Sequence, residues 1–287
     1  MMANKMKKTL FTSYLVALSH FVFSQVNFIQ VIIPLDNMKG VPYQTTMGTY
    51  DLGGFEVDVN GCFYFLGGTQ TTLAVFKQNA PLFRKQYKEF DSGNLFIYNN
   101  KIYTLDITYN YSVRKSKNNL VELNLLDGSI NEIYDHIITA PFDTYTFIDD
   151  CLIVQKASNV APAYKPTFTK YSLLTHLKNQ IENNYDLPPQ FYPKKYADEG
   201  VNFLGIWNNC HIYQGSTIKN NLVQTTFWEV DSDGHTLLSK AIDNNLLGKS
   251  FINTPNEFVK FKNGYIYVVG FKGKNAIITK IAIKDLF

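Results

Sequence analysis

Helical periodicity is nearly absent from this 287-residue chain, and so is any block of like charge. The first absence argues against a repeated strand–helix architecture. The second argues against nucleic acid as a partner, because 27 Lys and Arg nearly balance 24 Asp and Glu, leaving a net charge of +3 with no phosphate-binding stripe. Cysteine is scarce and odd in number, at three, so no full disulfide framework is expected. Phosphate-binding glycine loops, nucleophile elbows and paired metal-ligand histidine motifs are missing too, and no metal or cofactor is expected. Only one long apolar run exists, and it lies at the N-terminus.

That run has the layout of an export signal. Lys5, Lys7 and Lys8 precede an apolar stretch from Leu10 to Phe23, and Val22-Phe23-Ser24 suits a signal peptidase. The stretch is shorter than the ~20 residues needed to span a bilayer. No cysteine follows it to carry a lipid. Residues 1–24 therefore read as a signal peptide, and residues 25–287 as one exported domain in the periplasm or outside the cell, with no membrane span.

What the chain has in quantity is aromatic strand material, 19 Tyr and 22 Phe. Five segments share one pattern: FEVDVNGCFYFLGG (55–68), LFIYNNKIYTLD (95–106), TFIDDCLIVQKA (146–157), GIWNNCHIYQGS (205–216) and VKFKNGYIYVVG (259–270). Each is an apolar run, a turn dipeptide, then a second apolar run. The dipeptides are Asn60-Gly61, Asn99-Asn100, Asp149-Asp150, Asn208-Asn209 and Asn263-Gly264, residues that tolerate the positive φ of a type I′ turn. A further strand pair follows in each copy, giving about four strands per unit. Such units repeating in series are the signature of a β-propeller.

The last copy stops after three strands, whereas VNFIQVIIPLD (26–36) has no partner of its own. The expectation is an all-β, five-bladed β-propeller whose N-terminal strand closes the last blade and removes two open edges. Six blades are the alternative, with extra strands in 37–54 or 184–201. On these five hairpins the chain resembles the secreted β-propeller proteins common in Gram-negative bacteria, over about residues 26–287. The signatures of WD40 and kelch blades are absent.

Short turns should gather on one face and long connections on the other. Loops without structure of their own, held on a rigid scaffold, favour a binding surface. The segments 106–119, 136–145, 155–167, 184–200 and 243–257 are expected to build that face. They carry the candidate ligand-binding residues Tyr109, Tyr111 and Arg114, then Tyr164 and Lys165, then Phe191, Tyr192, Lys194 and Tyr196. Aromatic rings stack on sugar faces or peptide side chains, and the cations suit acidic groups. The plainer reading packs these rings against their own loops. The expected partner is a glycan or another protein, bound without catalysis by a monomer; a docking scaffold in a surface assembly is the alternative.

Five-bladed glycosidases, by resemblance, hold catalytic acids near the starts of the innermost strands. Asp51, Glu56, Asp91, Asp143, Glu199 and Glu257 fall near such starts, making a glycoside hydrolase or lyase the enzymatic alternative. Asp58, two residues after Glu56, belongs to the turn. His211 is expected to pack, satisfied, on a second strand. Asp231-Ser232-Asp233-Gly234 resembles the opening of a calcium loop, yet aligns with a hairpin turn. Cys62, Cys151 and Cys210 follow the first turn of their copies, at positions a propeller holds too far apart to cross-link.

Overall fold

The computed structural model describes residues 26–44, 50–67, 71–88, 92–110, 115–135, 137, 144–148, 150–156, 167–181, 202–219, 222–247 and 258–287. The signal-like segment 1–24 lies outside them. The strands are β1 (Phe28–Pro34), β2 (Tyr43–Gln44), β3 (Tyr50–Asp51), β4 (Gly54–Val57), β5 (Cys62–Gly67), β6 (Thr72–Lys77), β7 (Ala80–Gln86), β8 (Ser92–Tyr98), β9 (Lys101–Asn110), β10 (Lys115–Leu123) and β11 (Ile130–Tyr134). They continue as β12 (Thr144–Ile148), β13 (Cys151–Lys156), β14 (Thr167–Ser172), β15 (Lys178–Ile181), β16 (Asn202–Trp207), β17 (Cys210–Lys219), β18 (Leu222–Val230), β19 (Thr236–Asp243), β20 (Val259–Lys262), β21 (Tyr265–Lys272) and β22 (Asn275–Ala282). One helical turn, α1 (Leu35–Met38), follows β1.

These strands form five four-stranded antiparallel sheets in a propeller-like arrangement: β4–β7, β8–β11, β12–β15, β16–β19, and β20–β22 completed by β1. The N-terminal strand pairs with β22 from Phe28↔Ile281 to Pro34↔Asn275. Gln30 strengthens this closure, donating through Nε2 to the Leu246 carbonyl at 2.9 Å and to Thr279 Oγ1 at 3.1 Å. In 37–54, where an extra blade was considered, only the two-residue strands β2 and β3 pair. The other candidate, 184–201, lies outside the described residues.

Inner strands are apolar on both faces because each sheet is covered twice. In β5, Phe63 and Phe65 pack with Tyr267, Val269 and Ile278 of the last sheet, while Cys62 and Leu66 pack with Leu95, Ile102 and Val121 of the second. Tyr103 and Leu105 meet Leu152, Val154 and Tyr171 between the second and third sheets. Ile212 and Phe227 meet Val259, Ile266 and Ile281 between the fourth and last. Each buried side chain of this size contributes about 1.5–3 kcal/mol. On the outer edges β7 and β19 lie largely exposed, as the fourth strand of a blade must.

The hairpin turns divide into two kinds. Asn99-Asn100, Asn208-Asn209 and Asn263-Gly264 have positive φ at both positions, as type I′ requires. Asn60-Gly61 departs from the expectation: Gly61 is left-handed at φ +74° and Asn60 is not. Here Asp58 closes a longer turn, its N–H donating to the Cys62 carbonyl while Gly61 N–H donates to the Asp58 carbonyl, both at 3.1 Å. Asp149 lies outside the described residues.

Two long-loop expectations are corrected. Most of 106–119 is strand, because β9 runs to Asn110 and pairs with β10 from Lys115 onward. At the start of 243–257, Asn244 and Leu247 are buried rather than looped into solvent. The long connections that remain are 135–143 between the second and third sheets, 157–166 within the third, 182–201 between the third and fourth, and 248–257 before the last.

Candidate functional site

Antiparallel alternation puts the turns β4–β5, β8–β9, β12–β13, β16–β17 and β20–β21 at one end of their sheets. The strand ends flanking 111–114, 157–166 and 182–201 all lie at the opposite end. Of the nine residues expected to bind ligand, Tyr109 lies on β9 opposite Ser116. Tyr111, Arg114, Tyr164, Lys165, Phe191, Tyr192, Lys194 and Tyr196 lie outside the described residues. So do the acids Asp91, Asp143, Glu199 and Glu257. Asp51 pairs with Tyr43 on the small β2–β3 ribbon rather than starting an inner strand.

Glu56 is described in full, and it is buried. It occupies the third position of β4 and is 4% exposed. The inner strands β20, β4 and β8 lie side by side, and Lys260 of β20 reaches across. Lys260 Nζ donates to the Leu95 carbonyl of β8 at 3.1 Å and sits 3.9 Å from Glu56 Oε2. Glu56 Oε1 accepts the Val57 N–H at 2.9 Å. Burial pushes the Glu56 carboxyl above its ordinary range, outweighing the opposing pull of Lys260, Lys262 and the Val57 N–H. Lys262 lies beside this pair on β20, its Nζ 5.9 Å from the Phe96 ring centre. Phe96 in turn stacks on Phe147 of β12 at 4.4 Å, with an interplanar angle of 7°.

The first strands β20, β4, β8 and β12 thus contribute to one cluster of opposite charges and stacked rings. Sequence reading named Glu56 and missed Lys260, Phe96 and Phe147. A signal existed: Glu56 and Lys260 occupy the same column of the repeat, and the first and last copies become neighbours once β1 closes the last sheet.

Asp58 serves its turn, as expected. Its Oδ1 accepts the N–H of Asn60 at 2.9 Å and of Cys62 at 2.8 Å, and its Oδ2 accepts the Tyr64 hydroxyl at 3.2 Å. Asp231, Asp233 and His235 bring three ligand atoms within 4.8 Å of one another. The geometry there is that of the Asp58 turn. Asp231 Oδ1 accepts the N–H of Asp233 at 2.9 Å and of His235 at 2.8 Å, and the His235 N–H draws its carboxyl below the ordinary range. The same five-residue turn closes at 58–62 without a second acid or a histidine, so these residues are explained by the hairpin.

His211 is packed on β17 beside Phe203, and burial lowers its pKa. The ring hydrogen-bonds the Asp231 backbone while its Nδ1 has no hydrogen-bond partner among the described residues, so the expected satisfied ring is met in part. Cys62, Cys151 and Cys210 are free thiols at the first residue of β5, β13 and β17. No helix among the described residues is long and apolar enough to cross a membrane.

No protein-family model matches the sequence. No curated protein matches it either. Among solved structures, β-1,2-mannobiose phosphorylase from Listeria innocua is similar at a TM-score of 0.44 and 7% identity, over 91% of this chain and 98% of that one. Exo-β-1,3-galactanase from Phanerochaete chrysosporium gives 0.43 and 9%, over 89% and 64%. An oligogalacturonate lyase in complex with manganese gives 0.38 and 10%, over 80% and 76%. Likenesses this distant decide neither an activity nor a ligand.

Proposed function

We propose that the five sheets close as one ring of five blades, and that the protein is an exported, monomeric binding module without catalysis of its own. Its ligand is a glycan or a partner protein, held at the face from which 111–114, 157–166 and 182–201 emerge. One observation carries this reading: the connections 111–114, 157–166 and 182–201, which carry Tyr, Lys and Arg, all leave the end of the sheets opposite the five first hairpin turns, sharing it with the short β5–β6, β17–β18 and β21–β22 turns. Rigid sheets give such connections a fixed frame, which lowers the ordering cost of binding. A glycan array and a pull-down with the wild type, Tyr109→Ala and Tyr192→Ala test it. Weakened capture in either variant supports the face, and unchanged capture in both removes it.

The second reading is a glycoside hydrolase or lyase, favoured by the buried Glu56 carboxyl. Hydrolysis needs a second carboxyl, about 5–5.5 Å away for retention or 6.5–9.5 Å for inversion. Glu56→Gln that leaves any detected glycan cleavage unchanged would eliminate it.

A further inference from the structure

Cys62, Cys151 and Cys210 hold one place in three sheets, the first residue of the second strand. Each thiol has an acid of its own sheet as hydrogen-bond partner. Cys151 Sγ donates to Oδ1 of Asp150, the residue before it, at 3.2 Å. The Cys62 thiol bonds Asp58, whose carboxylate also accepts the Cys62 N–H at 2.8 Å. The Cys210 thiol bonds Glu229 of β18. Register accounts for that pair: His211 lies opposite Val230 and Ile212 opposite Glu229, so Glu229 is the diagonal neighbour of Cys210 on one face of the sheet. One repeated thiol thus meets acids from three different positions of the repeat.

A carboxylate accepts from a thiol and repels a thiolate. Burial is the largest influence on each cysteine, and the neighbouring acid adds to it, so all three thiols titrate above their ordinary range, Cys151 at about 11. Lys77 opposes this at Cys62 and Lys170 at Cys151, whereas at Cys210 Asp231 acts in the same direction as Glu229. The thiolate is the form that attacks electrophiles and disulfides.

We propose that Asp58, Asp150 and Glu229 are thiol guards, each holding its cysteine as a free, unreactive thiol. An odd number of cysteines can then persist in an oxidising compartment without cross-linking one molecule to another. The compartment belongs to the export reading above; the chemistry of the guards depends neither on it nor on any ligand.

The test is alkylation of the wild type and Glu229→Gln by iodoacetamide from pH 7 to 10, with each cysteine followed separately by peptide mass spectrometry. The thiolate sulfur bonds carbon and iodide leaves, the thiol proton having gone to solvent. Cys210 is the site to follow because it is only half-buried. Its rate at neutral pH should rise about threefold for each tenfold gain in thiolate, since a less basic thiolate also attacks more slowly. The midpoint of its pH profile should fall in Glu229→Gln while those of Cys62 and Cys151 stay in place. An unchanged Cys210 midpoint overturns the proposal. Should the variant loosen the fold, seen as faster alkylation at all three cysteines, the infrared S–H stretch of the wild type decides. Bands at the lowered frequency of a donating thiol support the guards, and bands at the frequency of a non-bonded thiol overturn them.

Discussion

Asp58, between β4 and β5, and Asp231, between β18 and β19, hold the same place in turns of the same form, each accepting the backbone N–H groups two and four residues ahead. A first-to-second turn and a third-to-fourth turn thus use one device. A carboxylate satisfies turn amides that the strand ladder cannot reach.

Asp58→Ala is expected to cost about 1–3 kcal/mol, the scale for hydrogen bonds to a charged group. It removes the acceptor of Asn60, Cys62 and the Tyr64 hydroxyl together. Urea denaturation measures it. Asp231→Ala should lower the midpoint by the same amount with calcium as with EDTA, since its role is in the turn. A calcium-dependent difference would instead make 231–235 a metal loop.

The raised pKa of Glu56 fixes the sign of a pH effect. A carboxyl whose folded pKa lies above its unfolded value favours the fold most at low pH. That contribution is lost as pH rises from the unfolded value of about 4.5 through the folded one. Glu56→Gln, which never ionises, should therefore gain on the wild type with rising pH and lose that advantage at pH 4. Urea midpoints of both proteins from pH 4 to 8 give the gap, and a gap independent of pH would refute the assignment. In Lys260→Met the wild-type carboxyl loses its nearest cation, so its pH dependence should steepen.

Two turn glycines separate backbone strain from packing. A Cβ at Gly61, φ +74°, meets nothing within 4 Å. Gly61→Ala should then cost only the left-handed penalty of about 1–2 kcal/mol. At Gly264, also φ +74°, a Cβ would lie 3.0 Å from the Trp207 ring, so Gly264→Ala should cost more. Thermal melts of the two variants side by side test the order.

Removing residues 26–34 strips the partner strand from β22 and exposes its edge. It also removes Ile33 from the apolar cluster between the last and first sheets. A bare edge recruits other chains. Soluble yield should fall sharply, with aggregates visible in size-exclusion chromatography. Gln30→Ala, which breaks two bonds and keeps the strand, should remain soluble with a lower midpoint.

The hairpins and the closure by β1 were legible in the residues because they depend on local chemistry. Asn, Asp and Gly accept positive φ, and alternating apolar runs demand covered strands. A lone strand at one end of the repeat and a three-stranded copy at the other call for each other. The extent of β9 and β10 was not legible: DITYNYSVRKSKNN is polar and reads as a loop, yet pairing between the two strands carries it nearly to the tip. Nor was the Asp58 turn, where one side-chain oxygen replaced the expected type I′ geometry.

The Glu56–Lys260 cluster belongs wholly to the tertiary structure. Glu56 and Lys260 are 204 positions apart in the chain, and nothing near either residue announces the other. Sequence patterning determined that both sit on inner strands. Only the closing of the sheets decided that β20, β4 and β8 meet, because electrostatic contact depends on distance in space and on the water excluded between the groups. Burial of that kind lifts the pKa of Glu56 and turns a strand residue into the most chemically distinctive group described in the protein.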